Sequence, residues 1–371
     1  MPESKELMEY LAHKGISRRS FMKFCGASAV MLGLSEAFAP RIAEAVVKAS
    51  QRPSVVWLKF QECTGCTESF IKATNPTAAQ VILDIISLDF HETIMAAAGD
   101  QAEEVLWETV KHGNYIAVVE GSVPTKIPHA LFIRDKTGLE IAKEVCGKAI
   151  ATICVGNCSS YGNIQAARPN PTGATGIGKA LNIPTVNLPT CPVNPEWVTS
   201  TILHYLVYKK LPELDAYGRP VMFFNQTIHD NCPRRAHFDE GRFVEEIGTD
   251  AERERYCLYK IGCKGPKTYA NCPKVLWNDR VNWCIGSGGL CIGCAEPNFW
   301  DQFANFYEPL PDVDIPGIGG IRADADKVGM ILGAATAGGI GVHLAGRVLK
   351  KATKGSKEEK AETNSSENKE E

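Results

Sequence analysis

The chain has 371 residues, 40 basic and 43 acidic side chains for a formal charge of −3, and 14 cysteines. Near-neutral charge provides no basic footprint for nucleic acid, so no nucleic-acid partner is expected. Ser17-Arg18-Arg19-Ser20-Phe21-Met22-Lys23 precedes an apolar stretch from Phe24 to Ala39, with small residues at Ala37, Ala39, Ala43 and Ala45. This is the pattern of a twin-arginine signal peptide over residues 1–48, cleavage point open, of the kind that exports proteins already folded. Cys25 falls in the removed segment.

Roughly 270 residues between this leader and the C-terminal tail are enough for one large or two ordinary domains. The apolar, β-branched runs 54–60, 81–88, 115–120 and 149–155 read as buried parallel strands, with a helical pattern at 101–111 between them. That alternation predicts an α/β fold, with a flavodoxin-like doubly wound domain over 52–224. Residues 173–179 fit the first seven positions of a phosphate loop. However, Ala180 replaces the hydroxyl that would hold magnesium, and Pro169 and Pro171 interrupt the strand such a loop needs, so the match reads as coincidence. No G-x-G-x-x-G opens a βα unit, which leaves nicotinamide binding unsupported.

From about Asn225 the pattern breaks into short pieces rich in Cys, Pro, Gly and Trp. This predicts a smaller irregular domain over 225–312 that depends on bound metal for much of its stability. Trp277, Trp283, Phe299, Trp300, Phe303 and Phe306 read there mainly as packing residues. Residues 328–348 contain no acid and would span ~30 Å as a helix, the pattern of a transmembrane helix. Gly333, Ala337, Gly341 and Ala345 give it a small-residue face for a partner helix. Arg347, Lys350, Lys351 and Lys354 put its far end in the cytoplasm, and His343 reads as a snorkelling or packed histidine. Residues 350–371 form a charged tail predicted to be disordered.

Twelve candidate ligands sort into three groups of four. Cys63 and Cys66 form a C-x-x-C, joined by Cys158 and Cys191 only if folding brings them in. His229 and Cys232 are followed by Cys257 and Cys263. Cys272, Cys284, Cys291 and Cys294 close on a second C-x-x-C. Thiolates in fours are the soft donor sets of cubane iron–sulfur clusters. A C-x-x-C disulfide closes too small a loop to constrain much of the chain, whereas Cys₄ and Cys₃His zinc sites remain a rival that spacing alone does not exclude. Cys146 and Cys154 are left over.

These groups, with the export pattern, resemble the small electron-transferring subunit of membrane-bound [NiFe] hydrogenases, and the resemblance runs over nearly the whole chain. It rests on Cys63-Thr64-Gly65-Cys66, Cys158-Ser159-Ser160-Tyr161-Gly162, Cys191-Pro192-Val193-Asn194-Pro195, and the His-x-x-Cys at 229–232 with the Cys-x₅-Cys at 257–263. It implies a proximal [4Fe-4S] cluster on Cys63, Cys66, Cys158 and Cys191, and a distal [4Fe-4S] cluster on His229, Cys232, Cys257 and Cys263. A medial cluster would sit on Cys272, Cys291 and Cys294. Many relatives hold a [3Fe-4S] there and have proline where this chain has Cys284, so a fourth thiolate favours a medial [4Fe-4S]. Otherwise Cys284 is a small apolar residue beside a [3Fe-4S].

Oxygen-tolerant relatives add cysteines at the positions of Gly65 and Asn163, so an ordinary proximal cubane and an oxygen-sensitive enzyme are implied. Catalysis at nickel and iron would belong to a large-subunit partner. Electrons would pass to an integral membrane acceptor, cytochrome b-like or quinone-linked, at the periplasmic face of the cytoplasmic membrane, with a dimer of heterodimers left open. Glu62, beside the proximal pair, is a candidate proton relay or a solvated or N-cap carboxylate. Arg234 and Arg235 either dock an acceptor or pair with acids. The rival functions are an electron-transfer subunit of another exported oxidoreductase and a zinc-stabilised exported interaction module.

Overall fold

The computed structural model describes residues 17–32, 34–48, 52–74, 76–278, 280–310, 313–314, 322–323 and 333–347. The chain divides into two compact units, Met1–Pro309 and Leu310–Glu371. In the first, five strands build one sheet: β1 (Ser54–Lys59), β2 (Ser87–His91), β3 (Tyr115–Glu120), β4 (Ala151–Val155) and β5 (Val186–Leu188). Their spatial order is β2-β1-β3-β4-β5, and all neighbours are parallel. This is the flavodoxin-like doubly wound order, whose switch point lies between β1 and β3.

Both faces of the sheet are buried, which is why the strands read as continuous apolar runs and not as alternating ones. Val55, Trp57, Ile116, Val118, Ile153 and Val155 face one core; Val56, Leu58, Ala117, Val119 and Cys154 face the other. The first core takes side chains from α1 (Arg18–Met31), α2 (Ala39–Lys48), α3 (Gly65–Ile71) and the later α8 (Pro195–Tyr208). The second takes α4 (Asp100–His112), α5 (Gly138–Cys146) and α7 (Ile177–Leu181); α6 (Gly156–Tyr161) follows β4 directly. A Thr137/Glu140 capping box starts α5, and Asn194 caps α8 ahead of Pro195. Cys146 and Cys154, which no ligand group claimed, are packing residues of the second core.

The run 81–88 is not a strand as expected. A Thr77/Gln80 capping box opens a helical turn, Ala78–Gln80, that continues as a π-helical turn, Val81–Ile85, and displaces the strand to Ser87–His91. A short apolar run suits either conformation, and here the cap decides. Residues 173–179 pass from an antiparallel Ala174–Thr175 pairing with Val123–Pro124 into the five-residue α7, without the strand-loop-helix of a phosphate site.

Beyond residue 225 the first unit consists of helical turns of three to five residues, such as His229–Asn231, Arg235–Asp239 and Cys272–Val275. Left-handed residues including Leu276, Asn278, Arg280 and Asn298 join them. At Gly262 (φ 109°) a Cβ would come within 2.6 Å of the Phe306 carbonyl oxygen, so only glycine fits that approach. The aromatic residues pack inward: Trp283, Phe299, Trp300 and Phe303 are buried, and Trp277 meets Trp197 edge-on at 6.1 Å.

Among the described residues no helix is long and apolar enough to cross a membrane. The described part of the expected span is a helix over 333–347 that carries Gly333, Ala337, Gly341, His343 and Ala345. The expectation of a transmembrane helix over 328–348 is therefore unsupported by the structure; residues 328–332 and 348, and the tail 350–371, lie outside the described residues.

Candidate metal centres

All fourteen cysteines are free, which removes the disulfide reading. The first group assembles at the C-terminal ends of strands, where open α/β sheets bind ligands. Cys63 and Cys66 follow β1 at the start of α3, Cys158 lies in α6 after β4, and Cys191 follows β5. Gly156 (φ 81°) lies against this cluster of thiols, where a Cβ would stand 2.4 Å from Cys66 Sγ. The Val193 N–H donates to Cys66 Sγ at 3.4 Å. Asn163 Nδ2 donates to Cys158 Sγ at 3.1 Å and reaches Cys191 Sγ at 3.7 Å, while Gln165 Nε2 reaches Cys158 Sγ at 3.7 Å. Cys66 feels Cys158 and Cys191 electrostatically, and Cys158 feels Cys63, so folding does bring the four together. Burial pushes Cys158 up to about 11 and Cys66 well above the usual thiol range, favouring the neutral thiol until a metal displaces the proton.

Beneath this group lies a polar network that sequence reasoning missed. Glu120, at the end of β3, accepts the Cys66 N–H at 2.9 Å, the Thr67 N–H at 3.3 Å and the Thr67 hydroxyl at 2.5 Å. The buried His91 takes the Thr93 N–H on Nδ1 at 3.1 Å, which leaves the proton on Nε2, 3.4 Å from Thr67 Oγ1. Its ring lies 5.1 Å from that of Trp57, and burial lowers its pKa to about 4. The one signal in the sequence was a carboxylate ending an otherwise apolar strand. Glu62 does stand next to the first pair, ion-paired to Lys59 at 3.3 Å; burial first, then Glu120, raise its carboxyl pKa.

In the second group Cys232, Cys257 and Cys263 influence one another electrostatically, and burial lifts Cys257 to about 11. A Cβ on Gly265 would lie 3.4 Å from Cys263 Sγ and 3.8 Å from the His229 backbone nitrogen, which brings the backbone of the His229 turn near Cys263. The His229 ring meets Phe238 edge-on at 4.5 Å, and burial is the main cause lowering its pKa. Arg234 is buried and donates to the Tyr256 and Ile285 carbonyls at 3.0 and 3.2 Å, whereas Arg235 pairs with Asp239 at 2.9 Å.

The third group surrounds a cavity of about 470 Å³ lined by Cys272, Cys284, Cys291 and Cys294, together with Cys191. Cys284 therefore sits with the other three. Burial pushes Cys294 up to about 12. Cys191 of the first group lines the same cavity as Cys294 of the third, and Lys264, next to Cys263 of the second group, donates its N–H to the Cys291 carbonyl at 2.7 Å, joining the third group to the second. Asn157 Nδ2 adds a tie from α6 to the Cys294 carbonyl at 2.9 Å. The spatial order is thus first, third, second.

Among the described residues, no three His, Cys, Asp or Glu side chains converge on one ion. Thiol donors lining a cavity and supplied with N–H groups are the donor type of a polynuclear iron–sulfur group. A parallel sheet bearing three adjoining thiol groups defines the class of metal–sulfur electron carriers.

Comparison with known proteins narrows that class. Residues 224–307 match the C-terminal family of the NiFe/NiFeSe hydrogenase small subunit, and residues 63–205 match NADH ubiquinone oxidoreductase, 20 Kd subunit. The chain is 47% identical over 306 residues to the periplasmic [NiFe] hydrogenase small subunit 1 of Nitratidesulfovibrio vulgaris, covering 81% of this chain and 96% of the relative. It is 43% identical over 346 residues to the quinone-reactive Ni/Fe-hydrogenase small chain of Wolinella succinogenes, covering 90% and 96%. Among solved structures, the [NiFeSe] hydrogenase of Desulfovibrio vulgaris Hildenborough aligns with a TM-score of 0.65 at 36% identity, over 70% of this chain and 98% of that one.

The chain belongs to the [NiFe] hydrogenase small subunits. It is the electron-transfer subunit of a hydrogenase, an oxidoreductase whose catalytic site lies in the large subunit with which small subunits pair. Iron–sulfur clusters are implied by the family.

Proposed function

We propose that the three cysteine groups are three iron–sulfur clusters passed in the order proximal, medial, distal. Cys63, Cys66, Cys158 and Cys191 hold a proximal [4Fe-4S]. Cys272, Cys284, Cys291 and Cys294 hold a medial [4Fe-4S], and His229, Cys232, Cys257 and Cys263 hold a distal [4Fe-4S]. The observation that carries this reading is the adjacency of the groups: Cys191 lines the cavity of the third group, and the N–H of Lys264, beside Cys263, meets the Cys291 carbonyl at 2.7 Å. The placement of Cys284 on the same cavity wall as the other three cysteines supports the four-iron form of the medial cluster.

The clusters supply reversible one-electron carriers, and this chain's residues fix their positions and surroundings. Cys63 and Cys191 are solvent-accessible in the isolated chain, which fits a proximal group facing the large subunit, where hydrogen is split or formed. Glu62, held between Lys59 and the C-x-x-C, is placed to pass protons along that interface. Residues 52–224 act as the domain of the proximal cluster and 225–312 as the domain of the other two.

The Arg18-Arg19 leader and the relative named periplasmic support export of the folded subunit by the twin-arginine route. The quinone-reactive relative supports a quinone-linked membrane acceptor. Gly65 and Asn163 in place of extra cysteines support an oxygen-sensitive enzyme.

Single substitutions in the purified heterodimer test the assignment. Cys66→Ser should alter the EPR signal of one cluster, Cys294→Ser that of a second and Cys263→Ser that of a third. Two of these variants altering the same signal would refute the grouping.

A further inference from the structure

Asn163 is buried and Gln165 half-buried next to Cys158, with an unusual division of labour within each amide. The Asn163 Nδ2 donates to Cys158 Sγ at 3.1 Å and approaches Cys191 Sγ at 3.7 Å; Gln165 Nε2 approaches Cys158 Sγ at 3.7 Å and donates to the Gln61 carbonyl at 2.9 Å. Their carbonyl oxygens, Asn163 Oδ1 and Gln165 Oε1, are buried with no hydrogen-bond partner among the described residues. A buried acceptor left unpaired is costly and calls for an explanation. Flipping either amide would not repair it, because the oxygen would then face a sulfur that is electron-rich once it binds metal. The arrangement is intelligible only if the sulfur is the group being served.

The backbone is shaped for the same end. Gly162 (φ 112°) and Asn163 (φ 54°) are both left-handed, a conformation that asparagine tolerates better than most residues. This places the Asn163 amide over two thiols that come from different strand ends. Gln165 then ties the same sulfur to the loop carrying Gln61, two residues before Cys63.

We propose that Asn163 and Gln165 are positioning residues that raise the reduction potential of the proximal cluster. An N–H donated to a cluster sulfur stabilises the more negative, reduced state more than the oxidised one, and hydrogen bonds to the sulfurs are an established control on cluster potential. One electron enters or leaves, no ligand bond changes, and the amides keep their protons. This inference rests on the assignment of Cys158 and Cys191 as proximal ligands.

The test is an EPR redox titration of the holo-heterodimer. Asn163→Gly removes the amide while keeping a residue at ease with positive φ, and Gln165→Leu removes the second donor at similar size. For Asn163→Gly the expected result is an about tenfold shift toward the oxidised proximal cluster at fixed potential, a fall of about 59 mV for a one-electron couple. Gln165→Leu should give a smaller fall, the double variant a larger one, and the medial and distal potentials should not move. Asn163→Asp, which substitutes a negative acceptor, should lower the proximal potential at least as far as the glycine variant.

An unchanged proximal potential in Asn163→Gly and Asn163→Asp, with the full iron content retained, would overturn the inference. Cys158→Ser separates this from a failure of the ligand assignment. If it leaves all three cluster signals and the iron count intact, the assignment itself is wrong; if it changes the proximal signal while the amide variants do nothing, only the tuning role falls.

Discussion

The sheet region and the cysteine-rich region after residue 225 occupy one compact unit yet are held together by different physics. Around the sheet, two cores enclose both faces, with Trp57, Val118, Ile153 and Trp197 essentially inaccessible to water. After residue 225 there are turns of three to five residues, joined by single bonds such as the Ile228 N–H to the Thr268 carbonyl at 2.8 Å. Hydrophobic burial on both faces of a regular sheet supports the first region. The second adds side chains such as Ile228, Val244, Leu258 and Trp283 to the first core but has little regular structure, and its eight candidate ligands point to clusters as part of its folding energy. A redox wire thus rests on a stiff platform at one end and organises its own surroundings at the other.

Stripping the metal should produce the largest effect and the most direct break in this contrast. Coupling of folding to a structural metal is worth on the order of 10 kcal/mol in small metal-dependent domains. Hydrogen exchange on the iron-depleted subunit should show the Ile228 and Ala270 amides losing protection while strand amides at Val118 and Ile153 keep it. Equal loss in both regions would erase the distinction.

Next in size, Trp197→Ala should cost about 3–5 kcal/mol in chemical denaturation, since a fully buried indole packed against Phe224 at 4.9 Å leaves a large cavity. A cost below about 1 kcal/mol would mean that the platform is less rigid than its packing implies.

Acid should find the platform's polar weak point. Burial holds His91 at about 4 against an ordinary 6.5, so the fold binds the neutral imidazole and the unfolded chain takes up the proton first. Stability is complete above about pH 6.5 and falls through the window from 6.5 to 4, by about 3 kcal/mol in all. Below that this residue adds no further slope. In His91→Gln the slope within the window should flatten, and an unaltered slope would assign it to other groups.

Cys284→Ala should be the mildest change, leaving stability nearly intact while removing about one iron and giving a three-iron EPR signal on oxidation. Unchanged iron content would make Cys284 a bystander on the cavity wall.

The same contrast governs what could be read from the chain. Strands buried on both faces leave unbroken apolar runs, so β1, β3 and β4 were legible to within two residues, whereas β2 was misplaced because the Thr77/Gln80 cap outweighed the apolarity of 81–88. Cys158 and Cys191 joined the first group only through the family resemblance, whereas the C-x-x-C pairs at 63–66 and 291–294 were visible because their spacing is local. The Glu120, Thr67 and His91 network was not, because its members lie 24 to 53 residues apart and none forms a motif. The order of the three groups came from the family resemblance and not from spacing, since it depends on residues such as Cys191 and Cys294 that the fold brings to one cavity. Near the C-terminus, an acid-free apolar composition suggested a membrane span, and among the described residues no helix is long and apolar enough to cross a membrane.

The most direct measurement is an anaerobic count of iron, acid-labile sulfide and zinc on the purified heterodimer, combined with an EPR redox titration of the same sample. About twelve cluster irons and as many sulfides assignable to this chain, with no three-iron signal on oxidation, are the expected result. Zinc in place of iron, or iron for fewer than three clusters, would contradict the three-cluster wire.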